Sequence, residues 1–135
     1  MIDPTLFLPF LQFAGQMLLS ACLGILIGFQ RERAGKPVGP RTYAFVAIGS
    51  TLFTLLSVSA FSQSDDRVAA QIISGIGFIG AGAILHKGDT VHGITTAAAF
   101  WATAAVGMAV GVGWYKEAMA VAALMFGLLV WNDKK

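Results

Sequence analysis

One segment of the sequence concentrates side chains that could form ion pairs: Gln30, Arg31, Glu32, Arg33, Arg41 and Thr42. Arginine pairs with carboxylates in a planar, two-bonded fork, which suits contacts between helices. Basic residues also anchor loops on the cytoplasmic side of a membrane, but a glutamate adds nothing to that effect. Two interpretations therefore stay open for this first cluster: a positive anchor in which Glu32 neutralises one arginine, or a functional or interhelical site.

A second polar group consists of Asp66, Arg67 and Gln71, with Gln71 already inside an uncharged run. A polar side chain in such a run marks an interior contact or a path, and hydrogen bonding between helices is the favoured interpretation. Thr95 and Thr96 open a later uncharged run. They are either functional residues or bond back to their own helix turn.

The third group is His86, Asp89 and His92, which surround Gly88. Their spacing could suit a metal ion, but we favour a solvated loop. Asp66 and Asp89 stay as candidate metal ligands, and neither a clear magnesium site nor another cofactor is predicted. Because both histidines share one loop, no arrangement of nucleophile, histidine and acid is expected, and the sequence predicts no enzyme.

Gly75-Ile-Gly77-Phe-Ile-Gly80 matches the dinucleotide-binding fingerprint letter for letter. That fingerprint requires a preceding strand and an acidic residue about 20 positions later. Here the flanking residues form one continuous apolar run, and no carboxylate lies near that distance. The match is therefore interpreted as a false positive.

The composition places these residues in a membrane protein. The chain has 135 residues, 56% hydrophobic and 12% charged, with a mean hydropathy of +0.74. Soluble domains carry about 25% charged residues, and a chain this short cannot hide so much apolar surface from water. The net charge of +2 and the lack of a dense basic run exclude nucleic acid as a partner and leave the lipid bilayer.

Long uncharged runs define the elements that must position the polar groups. A helix needs about 20 apolar residues to cross the hydrocarbon core of a membrane. The sequence predicts an all-α integral membrane protein, a compact bundle of about five transmembrane helices in a single domain covering 1–135. The predicted spans are about 5–29, 42–61, 68–86, 94–112 and 114–131.

Basic residues indicate the orientation of the predicted bundle. Arg67 and Lys116 lie on one predicted side. On the other side lie Arg31, Arg33, Lys36, Arg41, Lys87, Lys134 and Lys135. The second side is therefore predicted to be cytoplasmic, with the N-terminus outside and the C-terminus in the cytoplasm.

Glycines recur at helical spacing in three of the predicted spans: Gly24, Gly28, Gly75, Gly77, Gly80, Gly82, Gly107 and Gly111. Glycine lets helix backbones approach closely, which drives helix association in lipid, so helix packing is the favoured interpretation. The alternative is a broken helix, or close approach of a ligand, in the third span.

Three ordered motifs resemble those of one family. Residues 24–33, Gly-Ile-Leu-Ile-Gly-Phe-Gln-Arg-Glu-Arg, are followed by Gly39-Pro-Arg41-Thr42. Residues 67–82 contain the glycine-rich run, and residues 93–101 read Gly-Ile-Thr-Thr-Ala-Ala-Ala-Phe-Trp. Together they resemble the signatures of the MgtC/SapB family. The chain departs from the family pattern at Gln30, where many relatives carry glutamate, and at Pro40, where many carry leucine.

This resemblance implies a multi-pass protein of the bacterial inner membrane, linked to magnesium homeostasis during magnesium limitation and, in pathogens, to virulence. Larger relatives carry a soluble cytoplasmic domain after the membrane domain. Members were once called magnesium transporters, whereas some act on other membrane proteins, notably the proton-translocating ATP synthase.

Two functions follow as hypotheses. The favoured one is a non-enzymatic regulator of other membrane proteins, which also forms homo-oligomers. The alternative is a transporter or channel for magnesium or another cation. Mg²⁺ requires oxygen ligands and gives up water reluctantly, yet all 7 carboxylates lie at predicted span ends or in loops.

Overall fold

The computed structural model of the protein describes residues 4–60 and 65–132. Within these ranges the chain forms five α-helices and one short β-hairpin. The helices are α1 Pro4–Arg33, α2 Pro40–Ala60, α3 Asp65–Gly82, α4 Ile94–Gly111 and α5 Tyr115–Asn132. The hairpin, between α3 and α4, consists of β1 Leu85–Lys87 and β2 Thr90–His92, which pair antiparallel.

The helical membrane-protein architecture predicted from the sequence is confirmed. Three of the helices in the described ranges are long and apolar enough to cross a membrane: Leu8–Arg33, Pro40–Ala60 and Ile94–Gly111. Arg67–Gly82, within α3, is a shorter apolar helix. Membrane crossing by α3 and α5, and the orientation of the termini, stay predictions.

The first helix extends beyond its predicted end at residue 29 and includes four members of the first cluster, Gln30, Arg31, Glu32 and Arg33. It stops at Arg33, where the Lys36 N–H donates to the Arg31 carbonyl and the Gly35 N–H to the Glu32 carbonyl, both at 3.0 Å. These bonds form a Schellman motif, whose left-handed position Gly35 occupies with φ 69°. Arg31 and its neighbours therefore lie on a helix and not in a loop.

The predicted third span, 68–86, is wrong at its end, because the helix stops at Gly82 and Leu85–Lys87 is a strand. Glycine is a poor helix former, and four glycines in eight positions weaken this end of α3. The segment predicted as a solvated loop folds into the hairpin, whose described side chains are exposed. Gly88, with φ 59°, is the first residue of its two-residue turn, where a positive φ is favoured.

Helix α2 packs against α1 at backbone distance. A Cβ added to Gly24 would lie 2.6 Å from the Tyr43 carbonyl oxygen, and one added to Gly28 would lie 2.9 Å from the Pro40 nitrogen. Real Cβ atoms essentially never come this close to other atoms. Glycine at both positions is therefore a condition for the α1–α2 contact.

The opposite side of α2 meets α4 in the same way. An added Cβ would lie 2.9 Å from the Ser50 Cβ at Gly107, and 2.7 Å from the Thr54 Cβ at Gly111. Helices α1, α2 and α4 thus form one closely packed unit, which also contains the buried side chains of Ile27, Phe100 and Val110.

The other two helices lie at the edge of this unit. On α5, Ala118, Ala122, Met125 and Leu129 recur at helical spacing and are buried against α1 and α4. On α3, which contacts α2 and α4, Ile76 and Gly80 are buried, whereas most of the other described side chains are not. Gly75, Gly77 and Gly82 have no atom within 4 Å of an added Cβ in the described structure.

We predict that Gly107→Ala destabilises the fold by about 2 kcal/mol, because the methyl group would overpack a contact between two backbones. The matched control is Gly127→Ala on α5, where an added Cβ has open space. The control should be neutral or more stable by up to about 1 kcal/mol. Denaturant unfolding in detergent micelles, followed by tryptophan fluorescence, measures both changes. Equal stability of the two variants would show that the α2–α4 contact is not tight.

Candidate functional site

A buried polar cluster lies where α1 ends and α2 and α4 begin. Its centre is Arg31, which is 2% exposed, and it also contains Gln30, Tyr43, Thr96 and Phe100, all almost fully buried. A fully buried arginine is rare in proteins unless it is paired. This cluster is therefore the candidate functional site.

The helical repeat of α1 turns Arg31 inward. Ser20, Gly24, Ile27 and Arg31 recur at intervals of three and four residues and are all buried, so they share one face. Glu32 and Arg33 lie on other faces and are exposed. Continuing this helical spacing from the apolar run into the charged cluster reaches Arg31. The sequence alone could therefore have identified Arg31 as the member of the cluster that faces inward.

Two contacts tie the cluster together across the three helices. The Arg31 Nη2 donates a hydrogen bond of 3.4 Å to the Thr96 Oγ1, which joins α1 to the first turn of α4. The Tyr43 ring packs on Phe100 with 4.8 Å between ring centroids and a tilt of 39°, which joins α2 to α4.

The chemistry of this cluster is that of a fixed positive charge. Arginine keeps its proton in proteins, so Arg31 can serve neither as a general base nor as a nucleophile. A helix carries a partial negative charge at its C-terminus and a partial positive charge at its N-terminus. The Arg31 charge is therefore stabilised at the end of α1 and destabilised beside the start of α4. Such a group can hold a carboxylate or a phosphate, and it repels cations.

A second polar contact joins α1 to the other end of α4. The Gln16 Nε2 donates to the Val110 carbonyl at 3.0 Å and to the Gly111 carbonyl at 3.4 Å. These carbonyls belong to the last turn of α4, and that of Val110 also accepts from the Gly113 N–H at 3.1 Å. The sequence analysis did not select Gln16, although it lies on the Arg31 face of α1 and is a polar residue within an apolar run.

Several buried hydroxyls inside the bundle are bonded to helix carbonyls. The Thr51 Oγ1 lies 2.9 Å from the Ala47 carbonyl oxygen and 2.8 Å from that of Gly107, and Thr103 donates to Ala99 at 2.7 Å. The Thr54 Oγ1 and the Tyr43 hydroxyl oxygen are buried without a hydrogen bond in the described structure. The buried side chains of the described interior include no carboxylate, which is a usual protein ligand of Mg²⁺.

The remaining members of the first cluster lie at the surface. The Arg33 guanidinium stacks over the exposed Phe29 ring, 4.7 Å from its centroid. The Glu32 carboxylate lies beside Gly39 in the α1–α2 connection. Arg41 and Thr42, at the start of α2, are exposed. Burial thus separates Arg31 from the residues that surround it in the sequence.

The second polar group does not join this site. Arg67 and Gln71 are exposed near the start of α3, which follows the far end of α2, and the Asp66 side chain lies outside the described residues. Thr95 is exposed, whereas Thr96 is buried, so the structure separates this pair.

The third group lies on the hairpin. Asp89 is exposed in its turn, and the His92 Nε2 lies 3.1 Å from the Thr90 Oγ1. The side chain of His86 is not among those that the structure describes. Among the described residues, no three His, Cys, Asp or Glu side chains converge in a group that could hold a metal ion.

We predict that Thr96→Val lowers the free energy of unfolding by about 1 kcal/mol, because it leaves a buried guanidinium donor without its acceptor. The control is Thr95→Val, at the adjacent exposed position, which should change stability by less than about 0.5 kcal/mol. Denaturant unfolding in micelles measures both. The assigned contact would be contradicted by a Thr96 variant as stable as its control.

Comparison with known proteins agrees with the motifs. Protein MgtC of Salmonella typhimurium is 44% identical over 104 residues, which cover 77% of this chain and 45% of the relative. Protein SapB of Bacillus subtilis is 40% identical, covering 82% of this chain and 51% of the relative. A putative magnesium transporter of Escherichia coli, YhiD, is 39% identical, with coverages of 78% and 53%. The chain thus spans about half the length of these curated relatives.

No solved structure is significantly similar to this chain. The sequence model of the MgtC family matches residues 17–134, which include α2, α3, α4 and the polar cluster around Arg31. With most of its length matched and relatives about 40% identical, the chain belongs to the MgtC family.

Proposed function

We propose that this chain is a non-enzymatic regulator in the bacterial inner membrane, which acts on another membrane protein during adaptation to low magnesium. Membership of the MgtC family supports the magnesium-related role. Three helices long and apolar enough to cross a bilayer, within the described ranges, support the membrane location.

The observation that carries the proposal is the buried guanidinium at the end of a closely packed bundle. Glycine contacts bring the α2 backbone against α1 and α4, and Arg31 lies where these three helices meet. Each unit of positive charge brought within about 4 Å of a guanidinium is opposed by about 4 kcal/mol at an effective dielectric constant of 20. A rigid scaffold fits this arrangement better than a path for Mg²⁺.

The surface around the buried arginine suits a protein partner. Arg33, Lys36 and Arg41 are exposed near Arg31 in the sequence, and they lie outside the packed interior. Exposed arginines can form paired hydrogen bonds with carboxylates of another protein. The ATP synthase suggested by the family resemblance is a candidate partner.

Transport of magnesium or another cation is the alternative function. The printed name of the Escherichia coli relative, putative magnesium transporter, favours it. The two described cavities lie beside α3, and both are lined almost wholly by apolar side chains. A cation path through either would therefore meet few oxygen ligands.

We predict that the purified chain in proteoliposomes carries no magnesium above the leak of protein-free liposomes. The reason is that its described interior contains no buried carboxylate to bind the ion and does contain the buried guanidinium of Arg31, which repels it. An indicator dye inside the vesicles measures the flux, and an ionophore shows that the dye responds. Magnesium flux that falls in Glu32→Gln or Asp66→Asn, but not in Asp89→Asn, would instead establish transport.

A regulator must also have a partner that can be captured. We predict that chemical crosslinking in native membranes under magnesium starvation joins this chain to another membrane protein, with the ATP synthase as the first candidate to assay by mass spectrometry. Arg33→Glu together with Arg41→Glu should reduce the yield several-fold by reversing the surface charge. Lys116→Glu on α5 is the matched control. A yield that neither substitution changes would exclude the basic surface as the contact.

A further inference from the structure

An apolar groove of about 490 Å³ runs between α2 and α3 on the outside of the bundle. Phe45 and Phe53 line it on α2, and Ile72 and Ile79 line it on α3. Thr42 lies near the start of α2 and Val68 near the start of α3, and both line the groove. It therefore follows the two helices for several turns.

Glycines open both walls of this groove. Gly49 on α2 and Gly75 on α3 line it, and a Cβ added to either would have no atom within 4 Å in the described structure. Glycine is the least favourable residue in a helix apart from proline. Close contacts inside the chain account for glycine at Gly24 and Gly107, but not at Gly75. A close contact from outside the chain would account for it.

Two polar side chains in the groove narrow the chemistry of its occupant. Ser50 lines the groove while only 5% exposed, and Gln71 lines it from α3. Neither side chain forms a hydrogen bond with the described part of the chain. With α3 crossing the membrane as the sequence predicts, both groups lie in hydrocarbon, where a polar group without a partner is costly and a lipid acyl chain offers neither donor nor acceptor. An occupant that carries hydrogen-bonding groups, as a polypeptide helix does, therefore fits the groove better than an acyl chain.

We propose that a second copy of this chain occupies the groove, with α3 of each copy packed against the α2–α3 groove of the other. A two-fold interface of this kind is self-complementary, so one surface must supply both partners. Helix α3 does so, because it offers the gap at Gly75 and the projecting ring of Phe78, which is 85% exposed. Gln71 carries both a donor and an acceptor and can pair with its own copy.

This interface stands independently of whether the bundle regulates or transports. Disulfide crosslinking of purified protein in liposomes tests it, because a second copy is then the one polypeptide present. With Cys22 replaced by serine, Gly75→Cys should form a disulfide-linked dimer in several-fold higher yield than Leu18→Cys, a lipid-facing control that is 67% exposed on α1. Equal yields at the two positions would overturn the proposal and leave lipid or another protein as the occupant.

Filling the groove gives a second measurement. Gly75→Leu should weaken dimerisation about tenfold. Energy transfer between labelled copies, followed as lipid is added, measures this change. The free energy of unfolding in micelles should be unchanged. Ala120→Leu, on an exposed face of α5, should leave both properties as in the original chain. Gln71→Leu should weaken dimerisation about threefold or more. Dimerisation that persists unchanged in Gly75→Leu would overturn the proposal.

Discussion

The close approach of α2 to both α1 and α4 is the constraint on which the rest of this structure depends. In lipid the hydrophobic effect does not hold helices together, so packing at backbone distance must do so. Gly24 and Gly107 allow that distance on opposite sides of α2, and no larger residue fits without moving a backbone. Once these contacts form, the rotation of each helix about its axis is set. The inward direction of Gln16 and Arg31 follows from that rotation.

These two side chains of α1 hold the two ends of α4. Gln16 and Arg31 are fifteen positions apart, as are Thr96 and Gly111. At about 1.5 Å per residue, each separation is about 22 Å along its helix. Because α1 and α4 run antiparallel, Gln16 lies beside Gly111 when Arg31 lies beside Thr96. Gln16 donates to carbonyls in the last turn of α4, whereas Arg31 brings a charge into the interior. A buried charge costs stability that an apolar residue would not, which supports a role for Arg31 beyond packing.

Helix α3 differs from α1 and α4 in what most of its spaced glycines contact. In α1 and α4 the spaced glycines meet the backbone or side chains of α2, while Gly75, Gly77 and Gly82 of α3 face open space in the described structure. Glycine therefore allows close helix contacts within the chain in α1 and α4, whereas in α3 it leaves the helix backbone accessible. This division suits a rigid unit of three helices with a more loosely held helix at its edge, where other polypeptides can bind.

The sequence by itself determined the membrane class, the approximate helices and the family, because hydropathy, charge and motifs are local properties of the chain. It also named Arg31 and Thr96, but as members of separate groups. The tertiary structure decided that these two meet, that Glu32 and Arg33 stay outside, and that Gln16 bonds to residues 94 and 95 positions away. The physical reason is that burial of a helical residue depends on how its helix is rotated against its neighbours. Contacts between distant segments set that rotation, and a local pattern does not contain them.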